Sequence, residues 1–285
     1  MLIGTWLLLT FGLLSSWFVA SLLVAPRHQQ VGPPPVELNA SAFETDSRSG
    51  ARIHGWYTEP RDPRGVVVLL HGIRGTRASM LARAKMLHHA RYATVMIDLQ
   101  AHGESLGENI TLGHLEKYDV QAAVQFAKAM IPDEPVAVIG VSLGGAAALL
   151  ATPLDVDAMV LESVFPNIEA AVHNRVDAIL GPLSWLPAKI LLVQLKPRLG
   201  IPAEDLQPIQ HIADVGCPVF LISGSNDKHT TERETRSMHQ AASQPKKLWI
   251  VEGAAHEDLA KHSPDEYEKK ILGFLNQQLA IDSAE

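Results

Sequence analysis

Gly140-Val141-Ser142-Leu143-Gly144 constrains this 285-residue chain more than any other segment of it. An apolar run at 135–139 precedes it, and the small residues Gly145-Ala146-Ala147-Ala148 follow. That order predicts a strand that turns at once into a helix. A turn so tight holds its serine in a strained backbone conformation, and small flanking residues let helix and neighbouring strands approach. The first amides of such a helix point at the serine and favour negative charge forming there. In this setting the pattern marks Ser142 as a candidate nucleophile.

The rest of the chain alternates short β-branched runs with longer helical stretches. That predicts an α/β fold on a mostly parallel sheet of about eight strands with helices on both faces. Strands are expected at 36–44 and 52–59 as an antiparallel opening pair, then at 66–70, 94–98, 135–139, 158–161, 219–223 and 248–251. Helices are expected at 77–90, 113–130, 142–151, 230–242 and 264–279. One stretch breaks the alternation. Residues 163–206 hold no clear strand, are cut by Pro166, Pro182, Pro187, Pro197 and Pro202, and are rich in Trp, Leu, Ile and Val. An insertion of that length is more than a connection. It reads as a small helical cap over a pocket, the alternative being helices packed simply on the sheet.

Met1 to Ala25 carries no charged side chain, and Pro26, Arg27 and the stiff Gly32-Pro33-Pro34-Pro35 linker follow. A helix of that length would cover a hydrocarbon core of roughly 30 Å. The segment reads as a transmembrane anchor. A cleaved signal peptide, which lacks its basic start here, and a buried core helix are the alternatives. The basic residues Arg27, Arg48 and Arg52 all follow the span, which leans towards a cytoplasmic catalytic domain. The expected organisation is therefore an anchor or signal at 1–25, a linker at 26–35 and a catalytic domain at 36–285. Hydrophobic residues at 47% and charged residues at 19% fit a packed domain, and a net charge of -7 gives no case for nucleic-acid binding. The single cysteine, Cys217, excludes an intramolecular disulfide and a cysteine-rich metal site, and its apolar setting reads as a buried small hydrophobe.

A serine hydroxyl is scarcely nucleophilic at neutral pH without a base. Gly224-Ser225-Asn226-Asp227 follows one expected strand and Gly253-Ala254-Ala255-His256 follows the next, so both side chains should emerge at strand ends. Asp227 is the candidate acid and His256 the candidate base. His229 and His262 compete for the second role, but neither directly follows a strand. The order Ser, Asp, His differs from those of the trypsin-like and subtilisin-like folds. Acyl hydrolysis passes through an oxyanion that amide donors must stabilise. The backbone N–H groups of Leu143 and of Ile73, in His71-Gly72-Ile73-Arg74-Gly75, form the natural pair. His71 itself reads as a residue that holds this loop.

These segments together resemble the α/β-hydrolase superfamily, in its esterase, lysophospholipase and serine-aminopeptidase-like branch, from about residue 36 to 279. The resemblance rests on His71-Gly72, the Asp98 and Ala101-His102-Gly103-Glu104-Ser105 turn, the segment around Ser142, Cys217-Pro218 with Asp227, and His256. It implies hydrolysis of an acyl ester or thioester by Ser142, His256 and Asp227, on a small-molecule or lipid-like substrate, without metal or organic cofactor. A membrane-associated peptidase or acyltransferase on the same triad is the alternative, and a non-catalytic binding protein a third. Membrane-anchored members of the branch agree with the N-terminal segment. Ser223-Gly224 before the acid and a loop without a glycine string depart from the commoner pattern.

Overall fold

Val66–Leu70 is five apolar residues, all buried, and a strand of that kind needs cover on both faces. The computed structural model describes residues 2–279, apart from the side chains of residues 2–9 and 11. Eight strands form one sheet: β1 (Ser41–Asp46), β2 (Arg52–Thr58), β3 (Val66–Leu70), β4 (Ala93–Ile97), β5 (Val136–Val141), β6 (Ala158–Glu162), β7 (Val219–Gly224) and β8 (Lys246–Val251). Their order across the sheet is β8-β7-β6-β5-β3-β4-β2-β1. β2 runs antiparallel to β1 and β4, and the other neighbours are parallel.

The helices of five or more residues are α1 (Leu2–Val24), α2 (Leu81–His89), α3 (Glu116–Met130), α4 (Leu143–Leu150), α5 (Ile168–Leu180), α6 (Trp185–Val193), α7 (Leu195–Leu199), α8 (Glu232–Ala241) and α9 (Pro264–Gln278). Alternate β3 side chains serve two cores. Val66, Val68 and Leu70 pack with Val120 of α3, Ala147 of α4 and Met238 of α8. Val67 and Leu69 pack with Leu87 of α2 and Phe274 of α9. Helices therefore cover both faces, as the alternation predicts.

Several boundaries differ from expectation, among them the helix expected from 77, which is α-helical only from Leu81 after a 3-10 turn at Arg77–Met80, and two others have a clear local reason. The first strand begins at Ser41, not 36, because Val36–Leu38 is a tight turn closed by Asn39 with φ at 50°. The helix expected from 113 begins at Glu116, whose carboxylate accepts the amides of Thr111 at 2.8 Å and Gly113 at 2.9 Å, so those residues stay outside the helix. The segment 163–206 forms α5, α6 and α7, which join β6 to β7. Its inner side chains, among them Ile168, Leu195 and Leu206, belong to the main core, while Trp185 and Leu186 are exposed.

The N-terminal segment forms α1, and its end is tied to the domain. Val24 accepts the Ile110 amide at 2.8 Å, and Arg27–His28 pairs in parallel with His102–Gly103. Among the described residues no helix is long and apolar enough to cross a membrane, so the expected transmembrane span finds no support there. The first part of α1 lies outside the described side chains.

Candidate active site

Ser142 occupies the turn between β5 and α4 with φ 49° and ψ -109°, a conformation that side-chain-bearing residues rarely adopt. The glycines around it make the turn possible. A Cβ on Gly140 would lie 2.5 Å from the Gly145 Cα, and one on Gly144 would lie 2.6 Å from the Leu70 carbonyl oxygen. α4 thus presses on β5 and on the end of β3 with no room for a methyl group. The Ser142 amide donates to the Glu162 carbonyl at 2.8 Å, which pins the turn to β6.

Asp227 follows β7 and His256 follows β8, the next strand out. His256 Nδ1 donates to Asp227 Oδ2 at 2.8 Å, while Asp227 Oδ1 accepts the amides of His229 and Thr230, each at 2.8 Å. Burial raises the Asp227 pKa, but His256 and the two amides outweigh it and leave the carboxyl below its ordinary value. The rival histidines stand differently. The His229 ring lies 5.1 Å from that of His256, and its Nδ1 is buried without a partner. His262 faces Glu257 at 3.2 Å and the Glu252 carbonyl at 3.3 Å. Of the three rings, only that of His256 meets the Asp227 carboxylate. No hydrogen bond joins Ser142 Oγ to His256 among the described residues. β5, β6, β7 and β8 lie side by side in that order and run parallel, so the loops that follow them emerge at one edge of the sheet.

The loop after β3 passes beside the serine: a Cβ on Gly72 would lie 3.6 Å from the Ser142 Cβ. The amides of Ile73 and Leu143 donate to no acceptor among the described residues, and Leu143 is the first residue of α4. The loop is held from behind. His71 Nδ1 donates to the Gly72 carbonyl at 2.8 Å, and its Nε2 accepts the Leu99 amide at 3.0 Å. Burial, with the neighbouring His102, lowers the His71 pKa to about 3, so the ring stays neutral and structural. Asp98 braces the adjoining turn through the amides of Arg77 at 2.6 Å and Glu104 at 2.9 Å, and pairs with the Arg77 guanidinium.

Two features escaped the sequence reading. Arg83 of α2 is buried and forms a fork on Glu162, with Nε 3.0 Å from Oε1 and Nη2 2.5 Å from Oε2. It also donates to Tyr267 Oη at 3.0 Å and to Asp258 at 2.9 Å. This network ties the residue that holds the Ser142 amide to the segment two residues past His256. Its other members lie 79 to 184 positions from Arg83 in the chain, so no local pattern marks them. The second feature is a pair of arginines. Arg74 follows β3 and Arg175 lies on α5, after β6, so they flank the serine strand on opposite sides. Arg175 is solvent-accessible, yet surrounding protein desolvates its guanidinium and lowers its pKa against the pull of Asp227, and Arg74 adds to the lowering.

Among the described residues, no cluster of His, Cys, Asp and Glu could hold a metal ion. The Cys217 thiol is half-buried and pushed up to about 12 by burial and Asp157, which fits an inert side chain.

A profile of the family described as serine aminopeptidase, S33, matches residues 61–207, more than half of the chain. The uncharacterized protein YqkD of Bacillus subtilis (strain 168) is 23% identical over 245 residues, covering 84% of this chain and 80% of its own. A monoacylglycerol lipase of Mycolicibacterium smegmatis is 32% identical over 163 residues, 55% of this chain and 54% of that one. Among solved structures, the Pyrococcus furiosus esterase Pf2001 superposes with a TM-score of 0.75 at 22% identity, over 90% of this chain and 99% of that one. That likeness shows the fold to be that of the α/β-hydrolases, as does the α/β hydrolase GrgF of Penicillium sp. sh18, with a TM-score of 0.68 at 18% identity, over 85% of this chain and 99% of that one.

Proposed function

We propose that this chain, which belongs to the hydrolase family described as serine aminopeptidase, S33, cleaves acyl esters or thioesters by a Ser142, His256 and Asp227 triad. The observation that carries the reading is the 2.8 Å bond from His256 Nδ1 to Asp227. It puts the ring proton on Nδ1 and leaves Nε2 to accept one. Ser142 Oγ attacks the carbonyl carbon as Nε2 takes the hydroxyl proton, and the amides of Ile73 and Leu143 hold the oxyanion. The imidazolium, stabilised by ionised Asp227, then gives that proton to the departing alcohol or thiol. Water attacks the acyl-enzyme in the same manner, His256 takes its proton, and Ser142 leaves with it as the free acid departs. The chemistry calls on no metal or organic cofactor.

Substrate class follows from the surroundings. An aminopeptidase must hold a cationic amine, and Arg74 and Arg175 beside the serine strand oppose one. An uncharged or anionic acyl compound suits them better. The apolar segment 163–206 and the lipase among the relatives favour lipid-like acyl chains, with α5 to α7 as the cap over their pocket. The reading includes membrane association through residues 1–25, with the catalytic domain on the cytoplasmic side. A fluorophosphonate probe tests the core of it. Labelling should map to Ser142, and Ser142→Ala should lose both labelling and hydrolysis by roughly three or more orders of magnitude while staying folded. Labelling of another residue, or a folded Ser142→Ala protein that turns over normally, sinks the mechanism.

A further inference from the structure

Among the described residues, every exposed large apolar side chain except Val36, Leu106 and Met130 lies on α1 or on the insertion after β6. The most open include Leu183 at 76% and Trp185 at 63% exposure. A soluble surface rarely gathers its apolar residues in this way. The two elements are also bonded to each other. Gln194 donates to Ser16 Oγ at 2.7 Å, and Arg198 donates to Ser21 Oγ and to the Trp17 carbonyl, each at 2.6 Å. The Arg198 guanidinium covers the Trp17 ring at 4.1 Å. Arg74, beside the serine turn, donates to the Leu22 carbonyl.

These bonds fix α1 against the enzyme from Ser16 to its end. The helix before Ser16 is roughly 21 Å long at 1.5 Å per residue, short of a hydrocarbon core of about 30 Å. If α1 alone entered lipid, the apolar side chains of its second half and of the insertion would stay in water. Charge points the same way. Residues 178–203 hold Lys189, Lys196 and Arg198 and no Asp or Glu, in a chain of net charge -7. An apolar face with basic residues beside it matches the acyl chains and headgroups of an anionic bilayer.

We propose that α6, the turn that precedes it and the second half of α1 enter an anionic phospholipid bilayer together as one face, with Leu183 and Trp185 among the acyl chains. This rests on the membrane association proposed above and adds its depth and orientation. Through Arg74 and Leu22, the loop beside Ser142 is fastened to the same face, so the mouth of the site lies at the lipid surface.

The test uses the full-length chain with Cys217→Ser and an environment-sensitive fluorophore on either Leu183→Cys or Arg61→Cys. Arg61 is exposed before β3, at the opposite edge of the sheet. Each protein is mixed with vesicles of phosphatidylcholine and phosphatidylglycerol, with or without an acyl-chain spin label, and floated. The label at 183 should shift to the blue and be quenched by the spin label, while that at 61 should do neither. Protein that floats with an aqueous label at 183 overturns the proposal but leaves the anchor standing. Protein that does not float overturns both. A blue shift at 183 without lipid, with a dimer by light scattering, would show that a second copy covers the face and would also overturn it.

Discussion

Asp227→Asn separates the triad reading from a merely structural aspartate. In the wild type, Oδ1 accepts two amides and Oδ2 accepts the His256 Nδ1 proton. The asparagine oxygen can keep the amides of His229 and Thr230, which fixes its NH2 group towards His256. That donor requires Nδ1 to become an acceptor, so the ring proton moves to Nε2, where the serine proton must go. The wrong tautomer should lower kcat/KM roughly 10⁴-fold, or about 5 kcal/mol at 1.36 kcal/mol per decade. Stability should change far less. The Asp227 pKa is below its unfolded value, so ionisation favours the fold above about pH 4 and that contribution disappears as acid protonates it. Asparagine removes that contribution but retains the loop bonds. Hydrolysis of a p-nitrophenyl ester series and the rate of fluorophosphonate labelling should fall together, with a near-native melting curve. A kcat/KM within about tenfold of wild type in a folded variant would mean that Asp227 only caps its own loop.

Three further expectations concern the frame around the site. Arg83→Met leaves Glu162 buried with its charge unmatched and should cost about 3–5 kcal/mol in urea unfolding, part of which Glu162→Leu should restore; a single-variant loss under about 1 kcal/mol would show the network to be inessential. Asp119 is raised to about 7, chiefly by burial, although Ser47 and the Gln100 amide bond to it. The folded state therefore holds a proton that the unfolded chain releases near pH 4, and stability should fall between about pH 4 and 7 by up to about 4 kcal/mol, a slope that Asp119→Asn should flatten. Leu191→Ser and Leu192→Ser, at half-buried positions of α6, should slow turnover of long-chain esters more than of acetyl esters, whereas equal losses with a large fall in melting temperature would show that these two side chains pack on the core and line no pocket.

Residues that carry local rules could be read from the sequence. The glycines at 140 and 144 are where backbone meets backbone, and the strand ends before Asp227 and His256 come from runs of buried apolar residues, so pattern alone located all three. The continuous run at β3 likewise announces a strand covered on both faces. The same logic explains the boundary errors. Asn39 in a left-handed turn and Glu116 reaching back to Thr111 are single-residue events that periodicity does not register. The N-terminal segment reads as a membrane span on apolar length alone, which carries no information about what the helix touches. Its contacts come from Gln194 and Arg198, 177 to 181 positions away for Arg198, and nothing in a 25-residue window records them.

The Arg83 network indicates why the site needs residues that no motif contains. The Ser142 turn is fixed largely by backbone: the Glu162 carbonyl holds the Ser142 amide, and the glycines set its contacts with β3. The candidate base, His256, sits on a longer loop, and in the proposed mechanism a displacement of about 1 Å there can cost a hundredfold in rate. Arg83 couples the two, since one guanidinium binds the Glu162 side chain on the serine side and Asp258 on the histidine side. A guanidinium suits this task because its planar fork fixes direction as well as distance, and because it stays charged when buried. Lysine at 83 could keep one ion pair but not the fork, so it would let the two loops move relative to each other. In the proposed mechanism, the precision of the site therefore depends on long-range buried charge as much as on the motif that marks the serine.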